Sequence, residues 1–372
     1  MFAALAARRY TRRRLKLLAP FFAPFFVPLA AVLLLVLSGC TTGRYLAQAG
    51  CGQIDLLLRA RDIGAAAADP RVDPHVRALL AQVPEIKKFG EQNSLRPTGN
   101  YHRYVQLDRP AVVWVVTASE PLRFHSKTWS FPIVGSVPYL GWFDPGDAHE
   151  LADSLHEEGW DSDVGAADAY STLGWFDDPV LSTMISDGDE ATGLLVNVIL
   201  HESVHATLYV DGQTRFNESL AEYVAGKLTL TYLDQRYGPR SAVKAAYLEA
   251  ERRGADRGAR MHRAYEELAA VYASSRSRAE KLADKRRILD ELRRETNFRR
   301  PINNATLSAF KNYNSGTPEL DALLSTCGGS WARFFGALSA LKRKGAFPAS
   351  NQADLGPVLR PLIEGGCPAP AR

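Results

Sequence analysis

Leu194-Leu195-Val196-Asn197-Val198-Ile199-Leu200-His201-Glu202-Ser203-Val204-His205 is the stretch on which the rest of the chain turns. Its length and its apolar positions (Leu194, Leu195, Val198, Ile199, Val204 and Leu208) predict a helix from Glu190 to Tyr209, broken by Asp211-Gly212. Residues four apart share a helix face, so His201 and His205 project side by side, close enough to grip one metal ion. Glu202 stands next to them, placed to take a proton from water made acidic by a metal such as zinc. A core helix can spell the same letters by chance. With eight histidines in 372 residues, that chance is on the order of 1%. Two histidines and a glutamate in an apolar helix are also costly to bury unsatisfied.

A catalytic zinc needs a third protein ligand and an open position. Asp211 stands at the third-ligand place of the pattern HExxHxxGxxH/D, but that pattern turns on a glycine where this chain has Leu208. Glu218, in Asn217-Glu218-Ser219-Leu220-Ala221-Glu222, follows a twelve-residue gap and opens a second helix, for which Asn217 is the expected N-cap. Glu222, one turn on, is placed either to hydrogen-bond the outer nitrogen of a ligand histidine or to lie on the surface. Manganese or cobalt suits the same donors as zinc.

Outward from this core, the chain reads as α+β and mainly helical. Residues 52–95 are mostly helix, with Pro84 expected to kink or end a helix that contains Val76, Leu79, Leu80 and Val83. A small mixed β region covers about 101–183: Ala111–Thr117 is a buried strand, Trp129–Phe143 short strands or a hairpin, Asp163–Thr172 an edge strand or extended loop. Active-site helices span about 190–232. From about 241 to 295, Arg and Lys alternate with Glu and Asp at helix-pairing distances, which predicts a solvated helical hairpin. Short helices complete the chain. No internal repeat or linker interrupts 40–372, which reads as one domain.

The formal charge of +4 is misleading. All six charged residues before position 40 are basic, which leaves 39 basic and 41 acidic residues in the remainder. The body is therefore slightly acidic, and nucleic-acid binding is not expected. The leader has a basic start, an apolar run from Leu17 to Leu37, and then Ser38-Gly39-Cys40. Leu37-Ser38-Gly39-Cys40 resembles a bacterial lipobox, which predicts residues 1–39 as a signal peptide and Cys40 as the lipidated residue. A transmembrane anchor is the alternative, weakened by Pro20, Pro24 and Pro28. Thr11-Arg12-Arg13-Arg14-Leu15-Lys16 also suits twin-arginine export. Thr41 after the cysteine favours the outer membrane, with the body in the periplasm. Cys51, Cys327 and Cys367 remain; in an oxidising compartment a Cys327–Cys367 bridge and three unpaired thiols are equally open.

Beyond the metal motif, Ala169-Tyr170-Ser171-Thr172-Leu173-Gly174-Trp175-Phe176-Asp177-Asp178-Pro179, then His201-Glu202-x-x-His205, then Thr214-x-Phe216-Asn217-Glu218 resembles the bacterial family of predicted aminopeptidases. Trp129-Ser130-Phe131-Pro132, Tyr101-x-x-Tyr104 and the lipoprotein leader fit it too, over most of 45–320. Asn-Glu-x-x-Ala is similar to the third-ligand helix of gluzincin peptidases. The resemblance implies a zincin-like core that hydrolyses peptides, with His201, His205 and Glu218 holding one zinc and Glu202 as base. The Gly-x-Met-Glu-Asn segment that such aminopeptidases use for a free amino terminus is absent, so an endopeptidase is an alternative. A non-catalytic envelope lipoprotein with a structural metal site is another. In zincins a strand before the active-site helix pairs with the substrate, a place that Asp163–Thr172 fits. Tyr170 is a candidate donor to the tetrahedral oxyanion, against a packed corner around Trp175 and Phe176.

Overall fold

The computed structural model describes residues 41–131, 135–169, 177–310, 317–348 and 356–367. By internal contacts the chain divides into Met1–Gln53 and Ile54–Arg372. Of the first unit, residues 41–53 are described and are helical; they belong to α1 (Thr41–Arg59), which runs through the boundary. Every element from β1 onward belongs to the second unit.

The architecture is mainly helical α+β, with 62% of the described residues in helix and small sheets beside them. After α1 come β1 (Arg61–Asp62), α2 (Ile63–Ala68), α3 (Pro74–Leu80), α4 (Val83–Gln92) and β2 (Arg103–Val105). Asp73 starts α3 by accepting from the N–H groups of His75 and Val76, two donors that a helix start otherwise leaves unpaired. The helix that carries Val76, Leu79 and Leu80 ends at Leu80, before Pro84, but Val83 falls on the next one. Pro84 lies in the first turn of α4, where its missing N–H costs nothing, and Ile86 and Phe89 are carried into the core on that helix.

The β region comprises β3 (Val113–Ser119), β4 (Trp129–Phe131), β5 (Gly135–Val137), β6 (Tyr139–Trp142), α5 (Pro145–Glu157), β7 (Asp161–Ala167) and β8 (Val180–Leu181). Among the described residues, β6, β3 and β7 form an antiparallel sheet with β3 in the middle. β4 and β5 form a hairpin. β2 pairs antiparallel with β1 and parallel with β8. That parallel pair matters for the site, because it brings Tyr104 beside Val180 and so fixes the segments that precede each. Asn100 accepts through Oδ1 from the Asp178 N–H, and the Tyr101 N–H donates to the Asp178 carbonyl at 2.7 Å.

The C-terminal half is helical: α6 (Ala191–Thr207), α7 (Thr214–Tyr237), α8 (Ala242–Ala273), α9 (Arg278–Thr296), α10 (Asn304–Phe310), α11 (Thr317–Thr326), α12 (Trp331–Arg343) and α13 (Gly356–Gly365). α6 is apolar almost all round before His201, as a helix wrapped by neighbours must be, and it packs against α4, α7 and α8. Gly193 permits the crossing with α8: a Cβ there would lie 2.5 Å from the Tyr247 Cβ. α8 and α9 form the expected hairpin, each capped by a serine, Ser241 and Ser277. Its apolar seam of Met261, Leu268, Ile288 and Leu292 is a second core, separate from the main one around α6 and α7. Buried Lys285 of α9 meets Asp161 and the Pro121 carbonyl, which ties this hairpin to β7. Cys327 and Cys367 are joined by a disulfide with Cα atoms 4.9 Å apart, and Cys51 is free and exposed.

Candidate metal centre

His201 and His205 occupy successive turns near the end of α6, with their rings 4.8 Å apart and nearly perpendicular. Their Nε2 atoms face each other at 3.2 Å. From α7, Glu218 brings its carboxylate to 3.5 Å from the His201 Nε2 and 3.6 Å from the His205 Nε2. One donor atom from each of the three falls within 4.8 Å of the others, so the group can hold a metal ion. The spacing suits one. Donors placed about 2.0–2.1 Å from a common tetrahedral centre lie roughly 3.3–3.4 Å from one another. Two imidazole nitrogens aimed at each other can share only a single proton, whereas a cation would satisfy both lone pairs and the carboxylate together.

The electrostatics point the same way. Burial pushes the Glu218 carboxyl up, but hydrogen bonding to His201 and His205 outweighs it and holds the pKa at about 2. For His201, burial opposes the charged form and is the largest single influence; Glu218, Glu202 and Glu222 together override it and raise the pKa. The site thus carries a concentrated negative field suited to a cation. The side chains of His201, His205 and Glu218 are 15%, 7% and 23% exposed, so the centre is recessed and the carboxylate is its most open member.

Glu202 sits beside these ligands with one carboxylate oxygen, Oε2, buried and, among the described residues, without a hydrogen-bond partner. The His205 Nδ1 is buried and unpartnered as well. Glu222 adds to the field on His201, but no hydrogen bond joins it to either histidine among the described residues. Asp211 is exposed and is not in the three-residue group. Tyr170 and Cys40 lie outside the described residues. The Ser162 and Val164 carbonyls of β7 accept from Asn303 at 2.7 Å and Arg300 at 2.6 Å, so this part of the strand is already engaged by the segment leading into α10.

Asn217 is not the N-cap of α7. The helix begins at Thr214, which puts Asn217 inside its first turn and fully buried. Two tyrosines to which the sequence assigned no role in the site stand close to the centre. Tyr209 is edge-on to His205 with ring centroids 6.2 Å apart. Tyr101 is buried with φ +63°, a left-handed backbone that a bulky residue rarely adopts. Burial raises its pKa well above the usual value, helped by the charge of Glu202 and then of Asp178. Tyr209 follows His205 by four residues and so carries a faint periodic signal; Tyr101 is about a hundred residues away and enters the sequence reading only within Tyr101-x-x-Tyr104, which gave it no place at the site.

The mainly helical α+β chain thus brings a His-Glu-x-x-His helix and a glutamate from the next helix into one group that could hold a metal ion. Residues 44–353 match the family described as "Putative aminopeptidase", and the chain belongs to that family. Comparison with curated proteins and with solved structures finds no match.

Proposed function

We propose that this chain is a zinc-dependent peptidase, an aminopeptidase by the name of its family, carried on a lipid anchor at Cys40 and facing the periplasm from the outer membrane. The observation that carries the catalytic part is the buried, unpartnered Glu202 Oε2 beside a three-donor group from two helices. His201, His205 and Glu218 are the residues that would hold the ion. Bound there, zinc supplies Lewis acidity, which polarises a carbonyl and brings the pKa of water towards ~7. Glu202 takes the proton of the attacking water on its carboxylate and passes it to the departing amine nitrogen. The recessed position limits bulk water around the reacting atoms, which strengthens each of these electrostatic contacts. The peptide is the substrate, and its other partner is the membrane, reached through the anchor. The leader supports that location by its basic start, its apolar run and Cys40.

Stripping the metal with a chelator should abolish hydrolysis of a short peptide, and adding zinc back should restore it. Activity untouched by complete metal removal would overturn the proposal. Pairing each peptide with its N-acetylated form separates exopeptidase from endopeptidase action, since only an aminopeptidase loses the acetylated substrate.

A further inference from the structure

Asn217 has no place in the chemistry above, yet its side chain is held as firmly as any in the site. It is fully buried. Its Oδ1 accepts from the Val210 N–H at 2.8 Å, and its Nδ2 donates to the Val210 carbonyl at 2.9 Å. One amide thus pairs with both main-chain groups of Val210, as a neighbouring strand would. Val210 is itself buried and lies in the turn between α6 and α7; its carbonyl also accepts from the Gln213 N–H at 3.1 Å, while its N–H is met by the Asn217 Oδ1, away from water.

This pair lies between two of the three candidate ligands. His205 sits two residues before the end of α6, and Glu218 is the residue after Asn217. The chain between these two ligands passes through the turn 208–213, and α6 and α7 also pack directly against each other. Leu208 leaves the helix in extended conformation, and Gly212 reverses the chain at φ +74°. A turn of this kind has several low-energy shapes. The Asn217 clamp selects one of them and, being on the first turn of α7, transmits it directly to its neighbour Glu218. Two further ties hold the same turn from outside, Lys342 Nζ to the Tyr209 carbonyl at 2.6 Å and Gln213 Nε2 to the Pro348 carbonyl at 2.6 Å. Those ties bear on the two sides of the turn. Asn217 closes the turn onto the ligand helix.

We infer that Asn217 is a positioning residue: its two-bond clamp on Val210 sets the approach of Glu218 to His201 and His205, and so the affinity of the centre for its ion. This rests on the metal-binding part of the proposed function. It concerns how the third ligand is held, not whether the chain hydrolyses peptides.

The test is metal binding by the full chain, read with Co²⁺ as probe through its visible spectrum and its dissociation constant. Asn217→Ala removes both bonds. Asn217→Asp keeps the shape and the acceptor for the Val210 N–H but loses the donor to the Val210 carbonyl. Leu228→Ala, at a fully buried position further along α7, is a control that costs stability without touching the turn. Residues that orient metal ligands typically change affinity by about 10- to 100-fold. Asn217→Ala is expected to weaken Co²⁺ by that factor and to alter the spectrum of the folded protein, with Asn217→Asp between it and the wild type. Leu228→Ala should lower thermal stability yet bind Co²⁺ as the wild type does. If Asn217→Ala does not fold, Asn217→Asp carries the test alone. Wild-type affinity and spectrum in the folded Asn217 variants overturn the inference while leaving the metal site intact. A wild type that binds no ion removes the metal site and the inference with it.

Discussion

Replacing Gly193 by alanine sets two opposed effects against each other, and the structure says which one wins. In a helix, alanine is better than glycine by roughly 0.5–1 kcal/mol, so local propensity favours the substitution. Packing opposes it. The new Cβ would lie 2.5 Å from the Tyr247 Cβ and 2.7 Å from its Cγ and Cδ2. Ordinary carbon contacts lie near ~3.5–4.0 Å, so α6 and α8 must separate by about 1 Å. No rotamer change relieves this, because the first obstructing atom is itself a Cβ. Overpacking of this kind costs typically 1–3 kcal/mol. The displacement also loosens the hydrogen bond from Asn197 to the Tyr247 hydroxyl, now 3.0 Å, worth about 1 kcal/mol. The net expectation is a loss of about 1–2 kcal/mol, read as a lower urea midpoint at unchanged slope. Gly254 and Gly258, also helical, have nothing within 4 Å of a built Cβ. Their alanine variants should gain roughly 0.5–1 kcal/mol. If Gly193→Ala stabilises the protein as these do, the close approach of α6 and α8 is refuted.

In the metal-free protein, Glu218 contributes stability that is present above its ordinary pKa of roughly 4.3 and is lost as pH falls towards about 2. His201 contributes stability that is complete below roughly 6.5 and is lost as pH rises through its raised value. The pair therefore stabilises most between those limits, which urea titrations across pH will test. Metal binding requires a neutral His201, so affinity should weaken as pH falls through its raised pKa, with proton release visible by calorimetry in buffers of different ionisation heat. Binding that is flat in pH would contradict that arrangement. Glu218→Gln should keep the fold but lose most metal binding and let the His201 pKa fall, which NMR titration of the imidazole would follow; retention of wild-type affinity would assign the third ligand elsewhere. Cys327 and Cys367 enclose a 40-residue separation, for which chain entropy predicts about 4 kcal/mol. Cys367→Ser should lower the urea midpoint accordingly, and an unchanged midpoint would show that the bridge constrains little.

The parts legible in the sequence were those set by local periodicity. The α6 helix, the strand at β3, the helical hairpin of α8 and α9 and the approach of His201 to His205 all follow from residues a few positions apart. What escaped was decided by partners distant in sequence. Asn217 has the composition of an N-cap, but helix α7 begins earlier, because Asn217 has a buried task on Val210 instead. Tyr101 is held beside Asp178 where β2 lies beside β8, a pairing across some seventy-five residues that no local pattern announces, and there it feels the charge of Glu202. Glu218 is intermediate: its motif named it, but only the turn between α6 and α7 explains how it arrives.

The most direct measurement is metal content and peptide hydrolysis on the same preparations of wild type and Glu202→Gln. Both proteins should hold close to one divalent ion per chain, since Glu202 is not a ligand, while the variant loses hydrolysis by about 10²- to 10⁴-fold. A wild type without bound metal, or a Glu202→Gln protein that cleaves peptides as fast as the wild type, would contradict a metal-dependent peptidase.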